Sequence, residues 1–142
     1  MMKNEMCLEF DSISANEAFA RVTVAAFMTQ MNPSMEEVAD VKTAVSEAVT
    51  NAIIHGYEGE VHKIVIRGRI DGEWLELSVE DRGVGIADVE KAMEPLYTTR
   101  PELERSGMGF LFMEAFMDEV KVESEPRKPT GVMMKKRIAQ RG

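Results

Sequence analysis

The chain has 142 residues, 44% of them hydrophobic, and a formal net charge of −8. That length fits one domain, residues 1–142, with a real core, and the acidic balance excludes the cationic footprint of a protein that binds a phosphate backbone. A single cysteine, Cys7, leaves no internal disulfide and no cysteine-built zinc site, and no apolar run or signal-type start marks a membrane or secretory segment, so a cytoplasmic protein is expected.

In chain order, residues 6–10 alternate as a half-buried strand, in which Cys7 reads as a packed core residue. Ser14-Ala15-Asn16-Glu17 has the Ser-x-x-Glu form of a capping box. It opens a helix expected to run to about Met31, with Ala18, Phe19, Val22, Ala25, Ala26 and Met28 as its apolar positions, until Asn32-Pro33 ends it. Glu17 and Arg21 fall on the outer face of that helix, where solvation is the simplest reading. Ser34-Met35-Glu36-Glu37 repeats the capping-box form and starts a second helix, closed at Gly56.

This second helix organises the chain. Val38, Val41, Val45, Ala48, Val49, Ala52 and Ile53 form a core stripe at helical period, while Glu47, Asn51 and His55 climb one polar edge beside it. Such a pair of Glu and Asn often does nothing more than face water. Two features favour a site. Asn competes for backbone hydrogen bonds and sits poorly in mid-helix, and its amide oxygen is a hard ligand suited to Mg²⁺ beside a carboxylate able to take a proton.

Residues 63–70 and 74–80 alternate as two strands joined through Asp71-Gly72, a dipeptide suited to a type I′ turn, and Ile64, Ile66 and Ile70 are expected to share a helix-covered face with Leu75, Leu77 and Val79. Trp74 reads as a strand-edge aromatic. The second of these strands runs into Asp81-Arg82-Gly83-Val84-Gly85-Ile86, where glycines admit a flat ligand close to the backbone and an acceptor-only Asp81 suits an exocyclic amino group. Ordinary turns use the same residues. A short helix is expected near residues 88–93.

Residues 96–106 follow without clear period and read as a lid, in which Arg100 and Arg105 either reach the terminal phosphate or face water, and Thr98 and Thr99 either bond phosphate or shape the loop. Gly107-Met108-Gly109 then opens a helix over residues 110–118. Its free backbone N–H groups and positive dipole end suit phosphate oxygens. Leu111, Met113, Phe116 and Met117 should pack on the sheet. Residues 120–124 and 132–138 close the chain as strands, with Lys135-Lys136-Arg137 expected on a solvated sheet edge.

Glu47 and Asn51 on a helix, Asp81-x-Gly83-x-Gly85 after a strand and Gly107-x-Gly109 before a helix, in that order, resemble the GHKL ATPase superfamily, which includes gyrase, Hsp90, histidine kinases and MutL. Residues 46–57, Thr98-Thr99, residues 101–110 and residues 117–120 are similar, more closely, to the anti-sigma F factors of spore-forming bacteria, a resemblance that covers nearly the whole chain.

The resemblance implies an α/β (α+β) two-layer sandwich, with a mixed, mainly antiparallel sheet and three helices on one face: the GHKL, or Bergerat, ATP-binding fold. It implies a homodimer that binds and inhibits sigma F and, with ATP and Mg²⁺, phosphorylates a serine of the anti-anti-sigma factor. By the same resemblance Asn51 carries the metal and Glu47 is the base. Asp81 reads adenine, with Gly83, Gly85, Ile86 and Thr130 around it, and Thr98, Thr99, Ser106, Gly107, Met108, Gly109 and Phe110 hold phosphates. Arg105 stabilises charge during transfer, a role worth ~10³-fold or more in phosphoryl transfer. Two rival readings are an anti-sigma module of a related stress pathway that binds nucleotide with little turnover, and the ATP-binding half of a histidine kinase, against which the carboxylate of Glu47 argues.

Overall fold

Alternating burial lays down the first element. In β1 (Lys3–Asp11), Leu8 and Phe10 turn inward while Cys7 and Glu9 turn out. The structure is a computed structural model that describes residues 2–56, 61–81, 109–123 and 130–139. Cys7 is therefore exposed, contrary to the sequence expectation, because its neighbours Met6 and Leu8 hold the two inward positions on either side of it.

The first helix, α1 (Ala15–Met28), continues as a 3₁₀ turn over Thr29–Met31 and stops at Asn32, which adopts the left-handed conformation at φ 52°. The expected capping box at Ser14 does not form: Ser14 has helical backbone angles, and no side-chain bond caps the helix. The amide of Asn16 instead donates to the Asp11 carbonyl, fastening the helix start to the end of β1. The apolar stripe is also rotated from the expected one. Ala20, Val24 and Met28 are buried, whereas Phe19 is 51% exposed and Val22 stands equally clear of the core. Both sets satisfy a helical period because α1 is apolar on more than one face, so period alone does not fix its phase. Glu17 and Arg21 pair on this helix at 3.6 Å.

Helix α2 (Met35–Asn51) starts as expected. Ser34 accepts a bond from the Glu37 N–H at 3.0 Å, and Glu37 accepts one from the Ser34 N–H at 2.8 Å. Val41, Ala44, Val45, Ala48 and Val49 are buried on its inner side, with Val38 and Ile53 partly so. A π turn (Ala52–Gly56) follows directly.

Strands β2 (Lys63–Asp71) and β3 (Trp74–Asp81) form the expected hairpin in register Asp71↔Trp74. Its two-residue loop is Gly72-Glu73, with φ 61° at Gly72 alone, so the turn is of the II′ rather than the I′ kind. Ile64, Ile66 and Ile70 share the buried face with Leu75, Leu77 and Val79. Each such side chain contributes about 1.5–3 kcal/mol relative to exposure. Helix α3 (Gly109–Phe116) then leads to β4 (Glu119–Glu123) and β5 (Thr130–Arg137).

The five strands order β1-β2-β3-β5-β4, and every pairing is antiparallel. The two-layer arrangement holds, with helices α1, α2 and α3 over one face, but the expectation of a mixed sheet does not apply to the described residues. The uncovered face is charged. Arg67 pairs with Glu80 at 2.9 Å, Lys135 with Glu76 at 3.3 Å, and Arg137 with Glu73 at 2.6 Å. Exposed pairs of this kind add little stability, yet they keep that face polar and leave the helices only one side to cover. At the end of the sheet where β1 finishes and β2 begins, the Asp11 carboxylate at 2.6 Å holds the Lys63 ammonium above the usual lysine range.

Candidate active site

Two elements end and two begin at one end of the sandwich. Asn51 ends α2, and the π turn that follows it contacts β3. Asp81 ends β3, where it stands opposite Ile64 on one side and Thr130, the first residue of β5, on the other. Gly109 begins α3, which packs along α2.

The direction of that packing follows from one side chain. The Lys136 ammonium donates to the Phe116 carbonyl at 2.7 Å and lies 3.7 Å from an Asp40 carboxylate oxygen. The early part of α2 is therefore beside the finish of α3, and the two helices run antiparallel. Roughly two turns from this contact, about 10 Å, α2 has reached Glu47 and α3 has come back to Gly109.

Asp81 is 3% exposed and Asn51 is 7% exposed, deep for a carboxylate and an amide bordered by valine, isoleucine and alanine. Burying such groups costs free energy unless something hydrogen-bonds to them, so their depth marks this end of an otherwise apolar layer as a polar pocket. Glu47 lies one turn before Asn51 and is half-buried. Its side chain stands at the border between core and solvent, where a carboxylate can both meet an incoming group and release a proton to water.

The structure thus brings Glu47, Asn51, Asp81, Thr130 and the start of α3 at Gly109 and Phe110 to a common end of the domain. Gly83, Gly85, Ile86, Thr98, Thr99, Arg105, Ser106, Gly107 and Met108 lie outside the described residues, as do the expected helix near residues 88–93 and the lid. Among the described residues no cluster of three or more His, Cys, Asp or Glu gathers as a metal site. A magnesium ion held by one amide oxygen and by phosphate oxygens needs no such cluster, and the Asn51 amide fits that role.

A separate groove of about 1100 Å³ crosses the uncovered side of the sheet, lined by Cys7, Arg67, Arg69, Ser78, Met133 and Lys135 among others. It reaches Glu114 on α3 and Asp118 at the β4 edge, and shares none of the site's residues.

Sequence reasoning missed Lys136. Lys135 and Arg137 do face the open side, but Lys136 turns inward with Val132 and Met134 and is 13% exposed. Strand β5 lies between β3 and β4, so it is not the solvated edge expected from its basic run. The signal was the period of two: Val132, Met134 and Lys136 occupy the same face.

A family model described as a histidine kinase-like ATPase domain matches residues 12–136. Proteins named anti-sigma F factor are similar over 98% of this chain: 59% identical in Halalkalibacterium halodurans, covering 96% of that protein, and 59% identical in Geobacillus kaustophilus, covering 96%. The one from Clostridium acetobutylicum is 58% identical over 98% of this chain and 97% of its own length. The chain belongs to the anti-sigma F factor family of histidine kinase-like ATPase domains. A family member with this ATPase domain is a nucleotide-binding protein, and the buried acid and amide at the sheet end fall within the matched residues. The fold has a wider reach than the family. A solved structure of the RsbU and RsbW domains of a Mycobacterium tuberculosis protein aligns at a TM-score of 0.70 with 19% identity, over 98% of this chain and 34% of that one. Among the described residues no helix is long and apolar enough to cross a membrane.

Proposed function

We propose that the chain binds ATP with Mg²⁺ where α2, β3, β5 and α3 end together, transfers the terminal phosphoryl group to a serine of an anti-anti-sigma factor, and as a cytoplasmic homodimer binds sigma F and holds it inactive. The observation that carries this reading is the burial of Asp81 and Asn51 at that one end of an otherwise apolar layer. Membership of the anti-sigma F factor family supports the choice of sigma factor as partner.

In this reading the Asp81 carboxylate accepts a bond from the exocyclic amino group of adenine, and Thr130, Gly83, Gly85 and Ile86 border the base. The Asn51 amide oxygen holds the metal, whose charge offsets that of the phosphates. Backbone N–H groups of residues 106–110, including the N-terminus of α3, take phosphate oxygens, with Thr98 and Thr99 beside them. The Glu47 carboxylate accepts the proton of the serine hydroxyl as its oxygen bonds to the terminal phosphorus. The bond from that phosphorus to the bridging oxygen breaks, ADP leaves, and Arg105 stabilises the charge spread over the transferring group.

The test is incubation of the chain with γ-labelled ATP and the anti-anti-sigma partner. Label on a serine of the partner is the expected result. Tight ATP binding with no label on the partner would leave a nucleotide-dependent anti-sigma module and remove the kinase.

A further inference from the structure

The inner placement of Lys136 ties together the two helices on which the site depends. Phe116 is the last residue of α3, so its carbonyl has no partner within the helix, and the Lys136 ammonium donates to it at 2.7 Å. A cation there also opposes the negative end of the α3 dipole. The same ammonium lies 3.7 Å from the Asp40 carboxylate, which is 25% exposed and sits in the early part of α2.

Other bonds fasten the end of α3 to β5: the Asp118 N–H donates to the Lys135 carbonyl at 2.9 Å, and the Arg137 N–H donates to the Asp118 carboxylate at 2.6 Å. These bonds leave α2 out, and the Ala139 N–H bond to the Glu37 carboxylate at 3.1 Å ties the first turn of α2 to the chain just after β5 but not to α3. Lys136 adds Asp40, and with it joins α2, α3 and β5 at a single charged group.

We infer that Lys136 is a positioning residue for the phosphate end of the site: paired with Asp40 and the Phe116 carbonyl, it sets the spacing between Glu47–Asn51 on α2 and the backbone donors at the start of α3. The inference rests on the ATP site described under the proposed function. Two antiparallel helices pinned at one end transmit a small change of angle along their length, to about 10 Å away, where α3 offers N–H groups to phosphate and α2 offers the base, with the amide one turn farther on. The adenine end, at Asp81, is held by the β3–β5 ladder six residues along β3 from Leu75, the partner of Lys136, and that ladder does not depend on the Lys136 side chain. Loss of Lys136 should thus weaken contacts with phosphates while leaving contacts with the base in place.

The experiment is titration calorimetry of the full chain with ATP, ADP and adenosine in the presence of Mg²⁺, alongside urea unfolding. The variants are Lys136→Met, Lys136→Arg and the pair Asp40→Asn with Lys136→Met. The double variant leaves no unpaired carboxylate between the helices, so it remains measurable if the single variant fails to fold.

The expected result is a loss of about tenfold in ATP affinity for the double variant, with adenosine affinity held within about twofold and Lys136→Arg recovering most of the loss. Equal losses for ATP and adenosine, or no loss for either, in a protein whose wild type does bind ATP would overturn the positioning role. Wild-type protein that bound ATP no more tightly than adenosine would instead overturn the reading of the site, and this inference with it.

Discussion

Replacement of Glu47 by Gln tests the proposed base while keeping a side chain of nearly the same shape. Glu47 is half-buried on α2, one turn before Asn51. Gln has nearly the same shape and helix propensity, so the helix and its core stripe persist, and the change in stability should stay within about 0.5 kcal/mol. What disappears is the capacity to take the serine proton. Positioned general bases contribute about 10²–10⁴-fold, so the transfer rate should fall by that factor, equivalent to a barrier about 2.7–5.5 kcal/mol higher.

ATP affinity should stay within about threefold of wild type, because the proton moves only during transfer and the ground state does not draw on it. The assay is a single turnover with saturating γ-labelled ATP and the anti-anti-sigma partner, quenched over time and resolved by gel, with ATP binding measured separately on the same preparation. A folded Glu47→Gln protein that transfers label within about fivefold of the wild-type rate would refute the assignment of the base, since no general base can be removed so cheaply.

Asp81→Asn removes a charged acceptor from a buried position, and hydrogen bonds to charged groups contribute about 1.5–3 kcal/mol, so ATP affinity by equilibrium dialysis should fall by about 10- to 150-fold; an affinity within threefold of wild type would remove Asp81 from the base pocket. Ser34→Ala deletes the bond to the Glu37 N–H that starts α2 and should lower unfolding free energy in urea by about 1 kcal/mol, with no loss at all contradicting the observed cap. Phe19→Ser, on the exposed side of α1, should leave stability within about 0.5 kcal/mol, whereas a loss of about 2 kcal/mol or more would place Phe19 in the core, as its sequence period suggests.

The elements legible in sequence are those in which two independent signals agree. In α2 the Ser34–Glu37 box and the run of Val41, Val45, Ala48 and Val49 point to the same start and the same face, and the structure has both. In β2 and β3, strict alternation and Gly72 agree on a hairpin. Where a single signal stood alone, it misled. Ser14 matched a capping box by type, but capping depends on Ser14 leaving the helical region, and its backbone stays within it. The period of α1 fitted two faces, and only packing against α2 selects Ala20, Val24 and Met28.

The site divides in the same way. Residue types at a helix end and a strand end were readable, because chemistry restricts which side chains hold a metal or an amino group. Their depth was not. Sequence period put Asn51 on a polar edge, yet it is buried, next to a π turn at Ala52–Gly56 that contacts β3. Lys136 shows the limit most directly. Its inward register was available from Val132 and Met134, but a lysine following two apolar residues reads as the solvated end of a strand unless a counter-charge is known to wait there. That counter-charge, Asp40, is nearly a hundred positions away in the sequence, in a helix where it reads as an ordinary exposed acid. A pairing of this kind becomes visible only when the sheet order and the antiparallel packing of α2 and α3 are known together, since neither residue carries a local mark of its partner.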